Sequence, residues 1–317
     1  VRIDGVFSGG GLKGLALVGA FEELERQGME FARVAGTSAG SILAAFIAAG
    51  YTADEIGEML SEQDFGELLD RRHAFIPLPF MKWVNLYWRM GLYKGDALED
   101  WFTEKLLEKD VYTFGDLAPG RLKLVASDLT NGQMIVLPDD LKKYGIPPDT
   151  FPVGRALRMS CGIPYFFEPV RLFTKEGDAI IVDGGVLSNF PLWIFDDPNG
   201  KRERPVIGLK LSRSEEDKTP RKIHNALDLF EALFSTMKNA HDERYIQKDH
   251  AKDIVFIPMD DVKATDFDMG DEQMELLMQR GRDRTRLFLE TWRFTAPPIW
   301  RPVQKINSAS TYKKAVP

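Results

Sequence analysis

Two short glycine-bounded turns, each set between an apolar strand-like run and a helix-like run, constrain this chain more than any other feature. The first, Gly9-Gly10-Gly11-Leu12-Lys13-Gly14, follows Arg2 to Ser8, and the second, Gly36-Thr37-Ser38-Ala39-Gly40, follows Phe31 to Ala35. After the first turn, Leu15, Val18, Phe21 and Leu24 recur at helical spacing within Leu12 to Arg26, and Gly28 ends the run. After the second, Ser41 to Ala49 is an alanine-rich apolar helix that ends at Gly50. Strand, glycine turn and helix, twice in succession, predict an α/β fold with a parallel sheet and right-handed crossovers.

The same pattern continues with one interruption. Thr52 to Leu69 reads as helical, with Thr52 placed to cap Glu55. Gly95 to Leu107 is a further helix, and between the two lies the aromatic stretch Ala74 to Tyr93. Strands are expected at Leu122 to Ser127, Met134 to Leu137, Phe166 to Leu172, Ala179 to Val182, Val206 to Leu211 and Ile254 to Ile257. Helices are expected at Val153 to Ser160, Pro220 to Lys248 and Asp271 to Glu290. No repeat or linker divides the chain. The expectation is one catalytic domain over 1–295, with a motif-bearing core at 1–190, an aromatic-rich helical insertion at about 52–110, and a poorly ordered tail at 296–317.

Composition removes several classes of function. Of 317 residues, 44% are hydrophobic and 28% charged, which suits a globular protein. Lys and Arg number 41 against 48 Asp and Glu, a net charge of -7 with no basic arm, so a nucleic-acid partner is not expected. The single cysteine, Cys161, excludes an internal disulfide and a cysteine-cluster metal site. No run of 18 apolar residues is present to span a bilayer. A cytoplasmic location is expected, with peripheral membrane contact allowed and secretion left open because the chain starts at Val1 rather than Met.

The first turn satisfies the G-x-G-x-x-G spacing at Gly9, Gly11 and Gly14. A dinucleotide site would also need an acid at the tip of the second strand, where Val34-Ala35-Gly36 has none. A phosphate loop would need Lys-Ser/Thr where Leu15-Ala16 stands. A plain tight turn and an anion or oxyanion site stay open. Consecutive glycines let backbone N–H groups face one point, and a helix start adds its own unpaired donors.

The second turn is G-x-S-x-G between strand and helix, the setting of a nucleophile elbow with Ser38 at its apex; Ser38 as a plain helix cap is the alternative. Ala39 is small, and its N–H can join an oxyanion hole. None of His73, His224, His241 or His250 sits in a glycine-rich turn after a strand. Asp183 is better placed as a base. It ends the apolar strand Ala179-Ile180-Ile181-Val182 and precedes Gly184-Gly185, which would let it approach another turn closely; an ordinary turn carboxylate is the alternative.

Together, Gly9 to Gly14, Gly36 to Gly40, Asp183-Gly184-Gly185 and Arg158-Met159-Ser160-Cys161-Gly162-Ile163-Pro164 resemble the patatin-like phospholipase and lysophospholipase family, over about Val1 to Phe190. The resemblance implies a three-layer α/β/α fold with a mostly parallel central sheet, and a serine-aspartate lipid acyl hydrolase using no metal or cofactor. It further implies Ser38 as nucleophile, Asp183 as base, and Gly10, Gly11 and Ala39 as oxyanion donors. Lys13 would occupy a basic position where arginine is usual. The implied partners are phospholipid, lysophospholipid or another fatty acyl ester. A nucleotide-binding protein and a catalytically silent lipid-binding protein are the alternatives carried forward.

The aromatic stretch has two apolar stripes, Met81-Val84-Trp88 and Trp83-Leu86-Met90. That pattern fits a helix buried on most sides. It also fits an acyl-chain wall, a lid or a lipid-facing patch, in which Trp83, Tyr87 and Trp88 would touch lipid.

Overall fold

A computed structural model describes residues 1–70, 86–174, 177–196, 202–212, 223–224, 229, 232–237, 251–259 and 270–292. Among these the strands are β1 (Arg2–Phe7), β2 (Glu30–Thr37), β3 (Gly91–Tyr93), β4 (Leu122–Asp128), β5 (Gln133–Leu137), β6 (Tyr165–Phe167), β7 (Val170–Thr174), β8 (Gly177–Asp183), β9 (Val206–Ser212) and β10 (Ile254–Pro258). The helices are α1 (Leu15–Arg26), α2 (Ala39–Ala49), α3 (Ala53–Glu62), α4 (Asp96–Leu107), α5 (Val153–Ser160) and α6 (Asp271–Thr291).

The fold is α/β, a central sheet flanked by helices. Its eight strands run β10-β9-β1-β2-β4-β8-β7, with β5 also paired to β4. From β10 to β4 every pairing is parallel, whereas β5, β8 and β7 add antiparallel pairings at the other side. Alternation along β1 divides the core between two faces. Ile3 and Phe7 join the larger cluster with Leu17, Leu24, Phe46 and Phe102 from the helices, while Val6 joins Phe190, Leu192 and Val206.

The edge of β4 that faces β2 is shared by two strands. Pairing with β2 ends at Thr37 opposite Val125, and pairing with β8 begins at Asp183 opposite Ala126. Since β5 occupies the other edge from Leu124 to Asp128, β2 and β8 must meet end to end. The last residue of β8 thereby lies beside the elbow that follows β2.

Some expected elements differ. The helix starting at Thr52 ends at Glu62 rather than Leu69, though its cap forms as expected: Thr52 and Glu55 complete a reciprocal capping box. Phe166 to Leu172, read as one strand, is two. Pro169 cannot donate to a ladder, and the chain changes sheets there, β6 pairing with β3 and β7 with β8. The insertion is therefore not wholly helical: residues 86–89 are helical, but 91–93 form β3. Residues 71–85, most of the tract 220–248 and the tail at 296–317 lie outside the described residues.

Candidate active site

Ser38 forms the bend between β2 and α2 with φ 52° and ψ -127°. A non-glycine residue in such a conformation costs about 1–3 kcal/mol and persists only where its surroundings over-determine it. Here both sides of the Ser38 peptide are held. Its N–H donates to the Ser160 hydroxyl at 3.1 Å, and its carbonyl accepts from the Ser41 N–H at 2.8 Å and the Ser41 hydroxyl at 2.5 Å. The flanking glycines are needed for space. A Cβ on Gly36 would run into the Gly40 carbonyl, and one on Gly40 into the Phe7 carbonyl.

The first glycine turn becomes a short 3-10 segment, Gly11–Gly14, that leads directly into α1. It packs against the elbow: a Cβ on Gly9 would lie 3.0 Å from the Ser38 Cβ, and one on Gly14 2.9 Å from the Ala39 Cβ. Gly10 and Gly11 start the 3-10 segment and Ala39 starts α2, where helix geometry leaves N–H groups without intrahelical acceptors. Two helix starts thus meet beside Ser38. Lys13 reaches the Met259 carbonyl at 3.0 Å.

Asp183 is fully buried. Lying two residues beyond Ile181, it shares the helix-covered face of the sheet. Its Oδ1 accepts the Gly185 N–H at 2.7 Å, and its own N–H donates to the Gly162 carbonyl at 2.9 Å. Oδ2 is buried and has no hydrogen-bond partner among the described residues. Gly184 is needed where it stands, because a Cβ there would meet the Val125 carbonyl and come within 3.0 Å of the Thr37 methyl.

Of the remaining candidates, Tyr87 and Trp88 are 77% and 74% exposed, packed edge to face at 5.2 Å. Trp83, His73, His241 and His250 lie outside the described residues, and His224 is on the surface.

Neither Ser160 nor Arg158 carries an individual signal in the sequence. Both lie on α5, in the segment from Arg158 to Pro164 that carried the family resemblance, which was the one signal pointing to them. Arg158 is buried and donates to the carbonyls of Gly95 at 2.9 Å, Lys94 at 2.6 Å and Glu168 at 2.5 Å, with its guanidinium 5.0 Å from the Phe167 ring centre. Burial pulls its pKa below the usual arginine value. It ties the chain just after β3 and β6 to α5, the helix whose Ser160 accepts the Ser38 N–H.

Among known proteins, the family described as patatin-like phospholipase matches residues 5–196. Protein YqhO of Bacillus subtilis is 56% identical over 292 residues, 92% of this chain and 99% of that protein. A cUMP-AMP-activated phospholipase of Escherichia coli is 28% identical over 194 residues, 58% of this chain and 54% of its own length. The crystal structure of VipD from Legionella pneumophila matches with a TM-score of 0.56 at 18% identity, over 92% of this chain and 67% of that one, a likeness of fold.

Proposed function

The chain belongs to the patatin-like phospholipase family, and from that membership we propose that it cleaves fatty acyl esters of lipids through an acyl-Ser38 intermediate. The observation that carries the reading is the buried Oδ2 of Asp183, without a partner among the described residues, on a strand end that abuts the elbow. A carboxylate oxygen buried with no donor is costly unless something occupies it. The Ser38 hydroxyl, which does not bond Oδ2 in this structure, is the donor we assign to it as Ser38 becomes the nucleophile.

In the proposed reaction Ser38 Oγ attacks the ester carbonyl as its proton passes to Asp183 Oδ2. The N–H groups of Gly10, Gly11 and Ala39 receive the developing oxyanion. Collapse expels the alcohol, which takes the proton from Asp183 and leaves the acyl chain on Ser38. Water then attacks, giving its proton to Asp183, and the second collapse returns a proton to Ser38 and releases the fatty acid. A carboxylate is a weak base beside an imidazole, so most of the acceleration must come from the preorganised donors.

The substrates we assign are phospholipid, lysophospholipid or another fatty acyl ester, met at a lipid surface through Tyr87 and Trp88, with Trp83 as a further contact. Among the described residues no helix is long and apolar enough to cross a membrane. The test is hydrolysis of a lipid panel by wild type and Ser38→Ala, with products identified by mass spectrometry. Release of fatty acid by wild type alone is expected. Retained binding to lipid with no hydrolysis of any member would favour a silent lipid-binding protein.

A further inference from the structure

We propose that Ser160 is a positioning residue for the nucleophile, its hydroxyl serving as an inserted rung between β2 and β4; the inference rests on Ser38 being that nucleophile. The ladder register shows the insertion. Val34 donates its N–H to the Arg121 carbonyl at 2.8 Å, and Val34 faces Leu122 in a parallel pair. Alternate residues of a parallel strand donate in step, so the rungs fall at 34 to 121, 36 to 123 and 38 to 125. At the third rung the Ser38 N–H does not bond the Val125 carbonyl directly. It donates to Ser160 Oγ at 3.1 Å, and Oγ donates to the Val125 carbonyl at 2.6 Å.

The widened rung solves a local problem. β2 must leave the sheet at Ser38 to turn through positive φ, yet both backbone groups at that point are buried and need partners. A small side chain that accepts and donates at once fills the gap, and a hydroxyl does so where a methyl cannot. The residues after Ser160 extend the cradle. Cys161 Sγ lies 3.4 Å from the Ser38 carbonyl oxygen, and the Gly162 carbonyl accepts the Asp183 N–H at 2.9 Å. One turn of chain therefore holds the peptides of both Ser38 and Asp183. Its hold on the Ser38 N–H also removes that group from the oxyanion donors, leaving Gly10, Gly11 and Ala39.

The test compares wild type, Ser160→Ala and Ser160→Thr on a soluble short-chain ester and with a fluorophosphonate that phosphonylates the nucleophile. Displacing a reacting group by an ångström costs about a hundredfold. For Ser160→Ala we expect kcat to fall about tenfold to a hundredfold with KM within about threefold, and Ser38 labelling to slow by the same factor. Ser160→Thr, which keeps the hydroxyl, should recover most of both rates. A folded Ser160→Ala with kcat within threefold of wild type overturns the proposal even if its melting temperature falls, and so does a folded Ser160→Thr as slow as Ser160→Ala. Should Ser160→Ala fail to fold, amide exchange in wild type decides: a Ser38 N–H that exchanges as fast as surface amides overturns the rung, and strong protection supports it. A wild type that neither hydrolyses ester nor takes the label at Ser38 overturns the nucleophile assignment, and this inference with it. An active wild type and an unimpaired Ser160→Ala overturn this inference alone.

Discussion

Thr37 and Asp183 lie one residue step apart on the same edge of β4, Thr37 opposite Val125 and Asp183 opposite Ala126. A step along a strand is about 3.3 Å, so backbone pairing, and not a flexible loop, sets where Asp183 lies relative to the end of β2. Ser38→Ala and Asp183→Asn should each lower ester hydrolysis by about 10³-fold or more while the melting temperature stays near that of wild type. The double variant should lose little beyond either single one, because the two act as a unit. Replacing the four histidines together should leave substantial activity in the folded protein, and steady-state kinetics on these variants check the assignment.

Glycines in two helices should respond to alanine in opposite directions. In α2, a Cβ on Gly40 points into the Phe7 carbonyl, which cannot move without disturbing β1. Gly40→Ala should therefore cost about 1–3 kcal/mol of stability despite alanine's helix preference. In α3, a Cβ on Gly57 would lie 3.2 Å from the terminal methyl of Met278, which can swing away. Gly57→Ala should add about 0.5–1 kcal/mol. Urea midpoints of the two variants measure both.

Tyr87 and Trp88 have little packing to lose, being mostly exposed. Tyr87→Ala and Trp88→Ala should keep the wild-type melting temperature and the rate on a short soluble ester. Their kcat/KM for a long-chain lipid in vesicles should fall, by about 1–3 kcal/mol for each aromatic ring that no longer buries its apolar surface in lipid. The ratio of long-chain to short-chain kcat/KM is the measurement, and an unchanged ratio in both variants would show that neither ring meets lipid.

Acid should unfold the protein partly through Asp128. Burial works to raise its pKa, but hydrogen bonds from Asn131 and Tyr144 outweigh burial and hold the carboxyl below its ordinary value of 3.8. A carboxyl depressed in the folded state contributes stability that is present above the unfolded pKa and lost as pH falls through the folded one. Asp128→Asn should be less stable than wild type at pH 7 and should show a shallower decline below about pH 4. Urea midpoints measured from pH 7 to pH 3 for both proteins test this.

What could be read in the sequence was local. The second glycine turn declares itself because Gly36 and Gly40 are required by contacts within a few residues or with the adjoining strand, and α5 appears with its expected bounds, Val153–Ser160. Asp183 stood out because two glycines follow an apolar strand. The break at Pro169 is not legible in the sequence because Phe166 to Leu172 is apolar on either side, and only the pairing partners tell the two strands apart. Ser160 was hidden for a related reason. A serine ending a helix has no distinctive spacing, and its task depends on Ser38 and Val125, which are far away in the chain.

Sharing one edge of β4 between β2 and β8 has a consequence for how the protein comes to be active. A chain still emerging during synthesis presents the elbow and both glycine turns well before Gly177–Asp183 exists to complete the edge. With Asp183 as the proposed base, an intermediate of this kind should be hydrolytically silent until β8 docks. The silence should show in refolding as probe reactivity at Ser38 that lags behind the recovery of secondary structure; labelling that keeps pace with early helix formation would rule it out.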